Sequence, residues 1–437
     1  MVLPKYIQTL LQKYVPNLGV NLASGYLLTF SLMGVNILFA PFYLLYLDIA
    51  EFGLLMFSMS LVNFAAIGIG WASGGLVRML GEAWANNNLV DFQNIHAMGR
   101  VVFVTYAIVA SVLCLFGWAI LNYFDVVSQS VPPEVWCAMI YMLIHYEQVP
   151  DRQAMNAMNR IYLGNYVEIG RVAIFVLAVL ICLPIFQSVV SVWLCFVVSI
   201  VVQKLFYLIC WSYLKIQFTY RRLTLDSKHL RRLMGGLGLR FGIYGMLNLF
   251  LLSDVMFVGL FLGMDAAGIF VLVWKIPEAI AILIWRVPAV LEPRIVLLHK
   301  KDEIHDINKI YHKGYVIYSM ICVFAGLSYM LFGKWLVTLW VNDNAPIDAS
   351  LYYLAGVALS FMTITRWPMS FASSLLQFRH LTMTLFSEAV LKILLLLLLT
   401  ESYGMKAALI AIIASKLIYP VFGYHLSISK FLRLHAK

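Results

Sequence analysis

Residues 164–186, GNYVEIGRVAIFVLAVLICLPIF, carry two charges, Glu168 and Arg171, and are otherwise almost wholly apolar; a second apolar run, 188–214, SVVSVWLCFVVSIVVQKLFYLICWSYL, starts after Gln187. A spanning helix needs about 20 such residues to cross roughly 30 Å of hydrocarbon. Each run is therefore read as a membrane crossing, and the chain that leaves through one returns through the other. Working outward, apolar runs bounded by Pro, Gly, Asn or charge fall at 18–47, 53–79, 101–124 and 134–157 on one side of this pair. On the other side they fall at 236–262, 266–291, 314–332, 349–376, 380–400 and 404–427. The total is twelve, so the sequence predicts an all-α polytopic membrane protein.

Composition agrees. Of 437 residues 62% are hydrophobic and 12% charged, against about 25% charged in soluble domains, and mean hydropathy is +0.87. That leaves too little polar surface for a string of soluble domains, a disordered chain, a coiled coil or a cytosolic enzyme. Cys114, Cys137, Cys182, Cys195, Cys210 and Cys322 all lie in apolar runs without CxxC or Cys/His spacing, so neither a metal site nor a disulfide framework is expected. Residues 1–16 are amphipathic, and no small-residue cleavage site follows, so no cleaved signal peptide is expected.

The net charge of +10 is a topology signal. With the N-terminus placed in the cytoplasm, 21 basic residues at the ends of spans or between them fall on that side and only Lys334 and Lys406 on the other, as the positive-inside rule requires. Nucleic acid is not needed to explain the charge. Both termini are then cytoplasmic. The basic stretch from Lys215 to Arg232 stands at the midpoint and predicts an N-terminal six-helix bundle over 1–214, a basic cytoplasmic linker over 215–235 and a C-terminal six-helix bundle over 236–437. The two bundles are weakly alike: Leu47–Leu55, with Asp48, Phe52 and Gly53, aligns with Leu262–Phe270, with Asp265 and Gly268. Arg78 and Arg294 each follow about 25 residues later. Six spans per copy preserve orientation, giving a parallel, pseudo-symmetric repeat.

These segments also resemble a known family. Leu47-Asp48-Ile49-Ala50-Glu51-Phe52-Gly53-Leu54, the glycines Gly68 and Gly70, and the closing Leu76-Val77-Arg78 are similar to the first outer loop and second helix of polysaccharide-transporter flippases. These belong to the multidrug/oligosaccharidyl-lipid/polysaccharide exporter superfamily. Gly263–Phe270, the stretch Arg294–Lys301 and the twelve-span plan extend the resemblance over essentially the whole chain. Within the superfamily the resemblance points to Wzx-type flippases. It implies translocation of undecaprenyl-diphosphate-linked oligosaccharide repeat units across a bacterial inner membrane, a role in O-antigen or lipopolysaccharide synthesis, no cofactor, and membrane lipids and other polysaccharide assembly proteins as partners.

Eight cations lie inside the predicted spans: Arg171, Lys204, Arg240, Lys275, Arg286, Arg366, Lys392 and Lys416. Exposing all of them to lipid would cost about 20 to 28 kcal/mol, so they must be paired or face water. Glu168 with Arg171, Glu278 with Lys275 and Glu388 with Lys392 stand at helical spacing for local pairs. The other five have no local partner, and Arg240, Arg286 and Arg366 are near enough to the cytoplasmic ends of their spans to snorkel. Read functionally, Arg240 and Arg286 sit at the inner mouth of a central cationic cavity and Lys275 near mid-depth, with Lys275 and Arg286 on one helical face. Arginine gives bidentate phosphate contacts and lysine a movable charge. Arg240, Lys275 and Arg286 are therefore the candidate diphosphate-binding residues, with Arg78 and Arg366 second, in a path operated by alternating access.

Asp254, isolated in its span, and Glu278 are the candidates for coupling to H+ or Na+; the structural alternative is a fixed counter-ion to Lys275 or Arg240. Glu147 and Asp151 read as an interfacial pair. Trp71, Trp274, Trp285 and Trp367 could stack on sugar rings or simply pack. Two other functions compete: a cation-coupled multidrug exporter of the same superfamily, against which the basic excess argues, and a membrane polymerase or ligase, against which the short outer connections argue.

Overall fold

The computed structural model describes residues 18–65, 69–123, 133–216, 233, 254–300, 302–341, 347–375, 377–417, 425, 428–430 and 432. Among these residues the regular structure is all helical and no strand occurs. The helices are α1 (Leu18–Leu44), α2 (Ile49–Ala65), α3 (Gly70–Ala85), α4 (Leu89–Tyr123), α5 (Pro133–Ala157), α6 (Ile161–Phe186) and α7 (Val189–Tyr213), followed by α8 (Asp254–Leu262), α9 (Met264–Lys300), α10 (Ile304–Val341), α11 (Ala349–Ile364), α12 (Arg366–Ser374), α13 (Phe378–Tyr403) and α14 (Lys406–Lys416). In chain order they follow the twelve apolar runs, α2 and α3 falling within one run and α11 and α12 within another. Seven of them, α1, α4, α6, α7, α9, α10 and α13, are individually long and apolar enough to cross a membrane.

Their outer faces fit lipid rather than water. On α6 and α7, Leu177, Ile181, Ile185, Leu194, Val198, Leu205 and Ile209 are all exposed. A soluble monomer rarely presents so large a continuous apolar surface. In a bilayer it is the ordinary outward face of a helix whose backbone groups are satisfied internally.

The chain forms two compact units. Unit 1 holds Met1–Phe39 and Ala65–Gly242, and unit 2 holds Ala40–Phe64 and Ile243–Lys437. Unit 2 thus takes in a piece of the first sequence half, including most of α2. Most of the expected linker, and the start of the seventh predicted span, lie outside the described residues. In unit 1 the core gathers Leu76, Leu80, Phe92, Phe103, Met155, Tyr207 and Trp211 from α3, α4, α5 and α7, and Leu233 is buried against it. In unit 2 one apolar cluster surrounds Tyr311, Tyr318, Trp367, Phe371 and Leu385, and another surrounds Val258, Phe270, Tyr329, Leu359 and Leu409.

The segment that carried the family resemblance has a local physical explanation. Asp48 precedes α2, and its Oδ1 accepts from the Glu51 amide at 2.8 Å while Glu51 Oε2 accepts from the Asp48 amide at 3.2 Å. That reciprocal capping box satisfies two donors at the start of the helix. Gly53 follows because α2 meets the start of α9 there with no room for a side chain. A Cβ on Gly53 would run into the Met264 carbonyl, and one on Gly268 would lie 2.5 Å from the Ile49 carbonyl oxygen. The clash is reciprocal, and both residue pairs, 49 with 264 and 53 with 268, are 215 positions apart in the chain. The glycines that align as repeat partners therefore touch each other. Gly326 and Gly356 bring α10 against α11 in the same way, each lacking room for a Cβ beside the other's carbonyl oxygen, at 2.5 and 2.6 Å. Small residues permit this closeness where hydrophobic driving force between helices is absent.

Two predictions follow from these local features. Gly53→Val or Gly268→Val should lower stability by at least about 2 kcal/mol, the middle of the range for overpacking, read as a drop in melting temperature of the purified protein. Gly34→Ala, where a Cβ meets nothing within 4 Å, should leave it unchanged. The second concerns Asp348, the N-cap of α11, whose Oδ1 accepts from the Ser350 amide at 3.0 Å and which pairs with Lys406 at 2.6 Å. The Lys406 bond, helped by the Ser350 amide, pulls the Asp348 carboxyl down to about 2. A lowered folded pKa means the contribution is complete above the ordinary carboxylate range and is lost as pH falls through the folded value. The Asp348 carboxyl should therefore titrate near pH 2, and Lys406→Ala should move its midpoint upward, as followed by carboxyl NMR.

Candidate functional site

The fold distributes the predicted site residues unevenly. Arg240 lies outside the described residues. Lys275 and Glu278 form the expected pair on α9, at 3.2 Å and only partly buried. Arg286 is exposed on the same helix. Arg78 is 73% exposed and bound to Glu82, one turn further along α3, at 3.0 Å. Arg366 is half-buried at the start of α12, with its guanidinium carbon 5.7 Å from the centre of the Trp285 ring.

Asp254 departs from the sequence expectation of an isolated carboxylate. It is 4% exposed and forms an ion pair with Lys392 of α13. Glu388, expected to pair locally with Lys392, binds Lys416 of α14 instead, at 2.5 Å. The pairs have crossed over: α13 places Glu388 and Lys392 one turn apart, and each finds its partner on a different helix. Three helices of unit 2 are thus joined by four charges that are each at most 13% exposed at the side chain.

Unit 1 holds a second buried network. Asp151 of α5, 1% exposed, accepts from both Arg100 Nη2, at 2.8 Å, and Trp211 Nε1, at 2.8 Å, and lies 3.1 Å from His96 Nε2. Glu147, one turn earlier, pairs with Arg100 at 3.4 Å and with Lys204 at 2.8 Å. The interfacial reading of Glu147 and Asp151 is corrected for Asp151, which anchors α4, α5 and α7. Beside them Glu168 holds Arg171 at 2.5 Å as expected, and its other oxygen accepts from Gln203 at 2.5 Å. Lys204 and Lys416, for which the sequence offers no local partner, are both paired. No local spacing could reveal it, because the partner of Lys204 lies 57 positions away.

Arg171, Lys204, Lys275, Lys392 and Lys416 are therefore each paired with a carboxylate. Arg286 and Arg366 lie in unit 2. The position of Arg366 follows from a helix break. Pro368 has no N–H to give the Ile364 carbonyl, so α11 ends at Ile364, Thr365 caps it and α12 begins at Arg366. One turn on, Ser370 donates to Glu292 of α9 at 2.8 Å, which sets α12 alongside α9. Within the contact the Arg366 Nε and Trp285 Nε1 donors are buried with no acceptor among the described residues. A buried unpaired donor costs about 1 to 3 kcal/mol, so this place favours a visiting oxygen. Trp274 and Trp367 are packing residues: both are buried, and Trp367 Nε1 donates to the Tyr311 carbonyl at 3.2 Å. The side chain of Trp71 lies outside those described.

On the neighbouring face of α9, Ile280, Leu283 and Ile284 form an apolar groove of about 390 Å³ with Ile321, Phe324 and Phe332 of α10. No cluster of metal ligands occurs among the described residues.

Solved structures share this architecture. A multidrug resistance MATE family transporter of the MOP superfamily, in an inward-facing conformation, has a TM-score of 0.69 over 92% of this chain and 95% of its own, at 13% identity. The chain has the MOP transporter fold. The lipid II flippase MurJ, in an inward closed conformation, also has a TM-score of 0.69, covering 94% of this chain and 87% of its own at 13% identity. A MOP superfamily transporter from Pyrococcus furiosus, described as having a binding pocket of reversed polarity that suggests a different function, has a TM-score of 0.59 at 12% identity, covering 96% and 94%. No family model and no curated protein matches the sequence.

Removing one partner of a buried pair strands the other charge. Asp151→Ala should therefore cost about 3 to 5 kcal/mol. Arg78→Ala, at an exposed pair, should change stability by less than about 1 kcal/mol. Melting temperatures of the two variants against the parent protein check both.

Proposed function

We propose that the chain is a flippase that carries undecaprenyl-diphosphate-linked oligosaccharide repeat units from the cytoplasmic to the outer leaflet of a bacterial inner membrane. It acts as a multi-pass transporter with both termini cytoplasmic, not as an enzyme. The fold supports a transporter, and the choice of substrate rests on the buried donors Arg366 Nε and Trp285 Nε1, which have no acceptor among the described residues, with an apolar groove on the neighbouring face of α9. A lipid-linked diphosphate needs this combination. Its phosphates require charge-assisted donors, its sugars must stay hydrated because polar groups enter hydrocarbon at high cost, and its polyprenyl chain prefers apolar surface.

In this reading Arg240 and Arg286 capture the diphosphate at the cytoplasmic mouth and Lys275 passes it outward through a cationic cavity by alternating access. Arg366 and Trp285 offer further donors, and Arg78, shared with Glu82, contributes least. Coupling to H+ or Na+ at Asp254 or Glu278 requires those carboxylates to exchange a lysine partner for the ion during the cycle. Other polysaccharide assembly proteins would supply and consume the substrate. The competing exporter reading draws on the MATE likeness, which is as strong as that to MurJ.

Reconstituted vesicles loaded with a fluorescent undecaprenyl-diphosphate oligosaccharide test the proposal. Arg286→Ala and Arg366→Ala should each reduce flipping at least about tenfold, the loss of one charge-assisted bond, while folding stays intact. Wild-type rates in both variants would reject the cationic path, and efflux of cationic drugs with no lipid flipping would favour the exporter.

A further inference from the structure

Asp254, Lys392, Glu388 and Lys416 alternate in sign along α8, α13 and α14, and the set is electrically neutral. Asp254, Lys392 and Glu388 are 4%, 2% and 0% exposed. Two carboxylates from different helices, buried in a membrane domain, would normally demand a bound cation, since an unpaired buried charge is prohibitively costly. Here the demand is met from within the chain. Lys392 reaches from α13 to Asp254, and Lys416 reaches from α14 to Glu388. A further monovalent cation would leave the cluster net positive in a medium of low dielectric, close to two ammonium groups that repel it.

We infer that the Lys392 ammonium is a tethered cation: it fills the position beside Asp254 that a sodium ion would otherwise occupy, so that unit 2 is held together without any bound alkali metal. The ion pairs alone carry this inference, which holds whatever the substrate. It also removes Na+ from the Asp254 position in the resting protein, leaving ion exchange there to a step in which Lys392 first withdraws.

The test compares melting temperatures in sodium, potassium and choline chloride at equal ionic strength. The parent protein should melt at the same temperature in all three. Lys392→Ala deletes the ammonium and opens space for an ion with its water. It should melt several degrees lower in choline and recover saturably as sodium is added. The double variant Asp254→Asn with Lys392→Ala, which has no stranded carboxylate at that position, should fold and give no saturable response to sodium. Lys392→Met, which removes the charge but keeps the bulk, should melt low and recover little. Saturable stabilisation of the parent protein by sodium would overturn the inference. So would a Lys392→Ala protein that ignores sodium, or one that stays unfolded in sodium while the double variant folds.

Discussion

Charge inside a low-dielectric slab has to be neutralised, and this constraint organises most of the polar structure of the chain. Each unpaired cation at the centre of a span costs roughly 2.5 to 3.5 kcal/mol by insertion measurements. Arg171, Lys204, Lys275, Lys392 and Lys416 are bound to carboxylates, and two of the pairs join helices distant in sequence, Lys204 to Glu147 and Lys392 to Asp254. Such pairs add little net stability over apolar packing, because desolvation offsets their attraction. What they contribute is register: Asp151 can meet Arg100, Trp211 and His96 together only if α4, α5 and α7 are correctly rotated and set at one depth.

How much of this was legible in the sequence depends on the range of the interaction. The crossings could be read because hydropathy is summed over one contiguous segment. The Glu168–Arg171 and Lys275–Glu278 pairs could be read because one turn of helix fixes their geometry. The same rule misled at Glu388, where a local partner was available at Lys392 and the folded chain used Lys416. At i,i+4 spacing a pair is worth only about 0.3 to 0.5 kcal/mol, so a tertiary arrangement that also serves Asp254 easily overrides it. The break at Thr365 was hidden inside one apolar run, although Pro368 was its visible cause.

The family-like segment around Asp48 shows how a motif can be structural before it is functional. Asp48 and Glu51 close the start of α2, and Gly53 lets that start lie against its repeat partner, Gly268. Three of the residues that gave the segment its resemblance are thus accounted for by capping and close approach. They specify the scaffold and say nothing of what passes through it. This agrees with the likeness to MATE and MurJ alike at 13% identity, because a shared backbone plan does not carry a shared substrate.

Substrate class then has to be argued from what the scaffold leaves unbalanced. In unit 1 the buried carboxylates Asp151 and Glu168 are each held by an arginine, with Glu147 shared between Arg100 and Lys204, so that network has its anions already inside it. In unit 2 the pairs between α8, α13 and α14 close on themselves, yet where α12 meets α9 the Arg366 Nε and Trp285 Nε1 donors are buried with no acceptor among the described residues. Unused buried donors near an apolar groove suit the proposed ligand, whose anionic group is joined to a hydrocarbon chain, better than a soluble anion, which has no use for the groove.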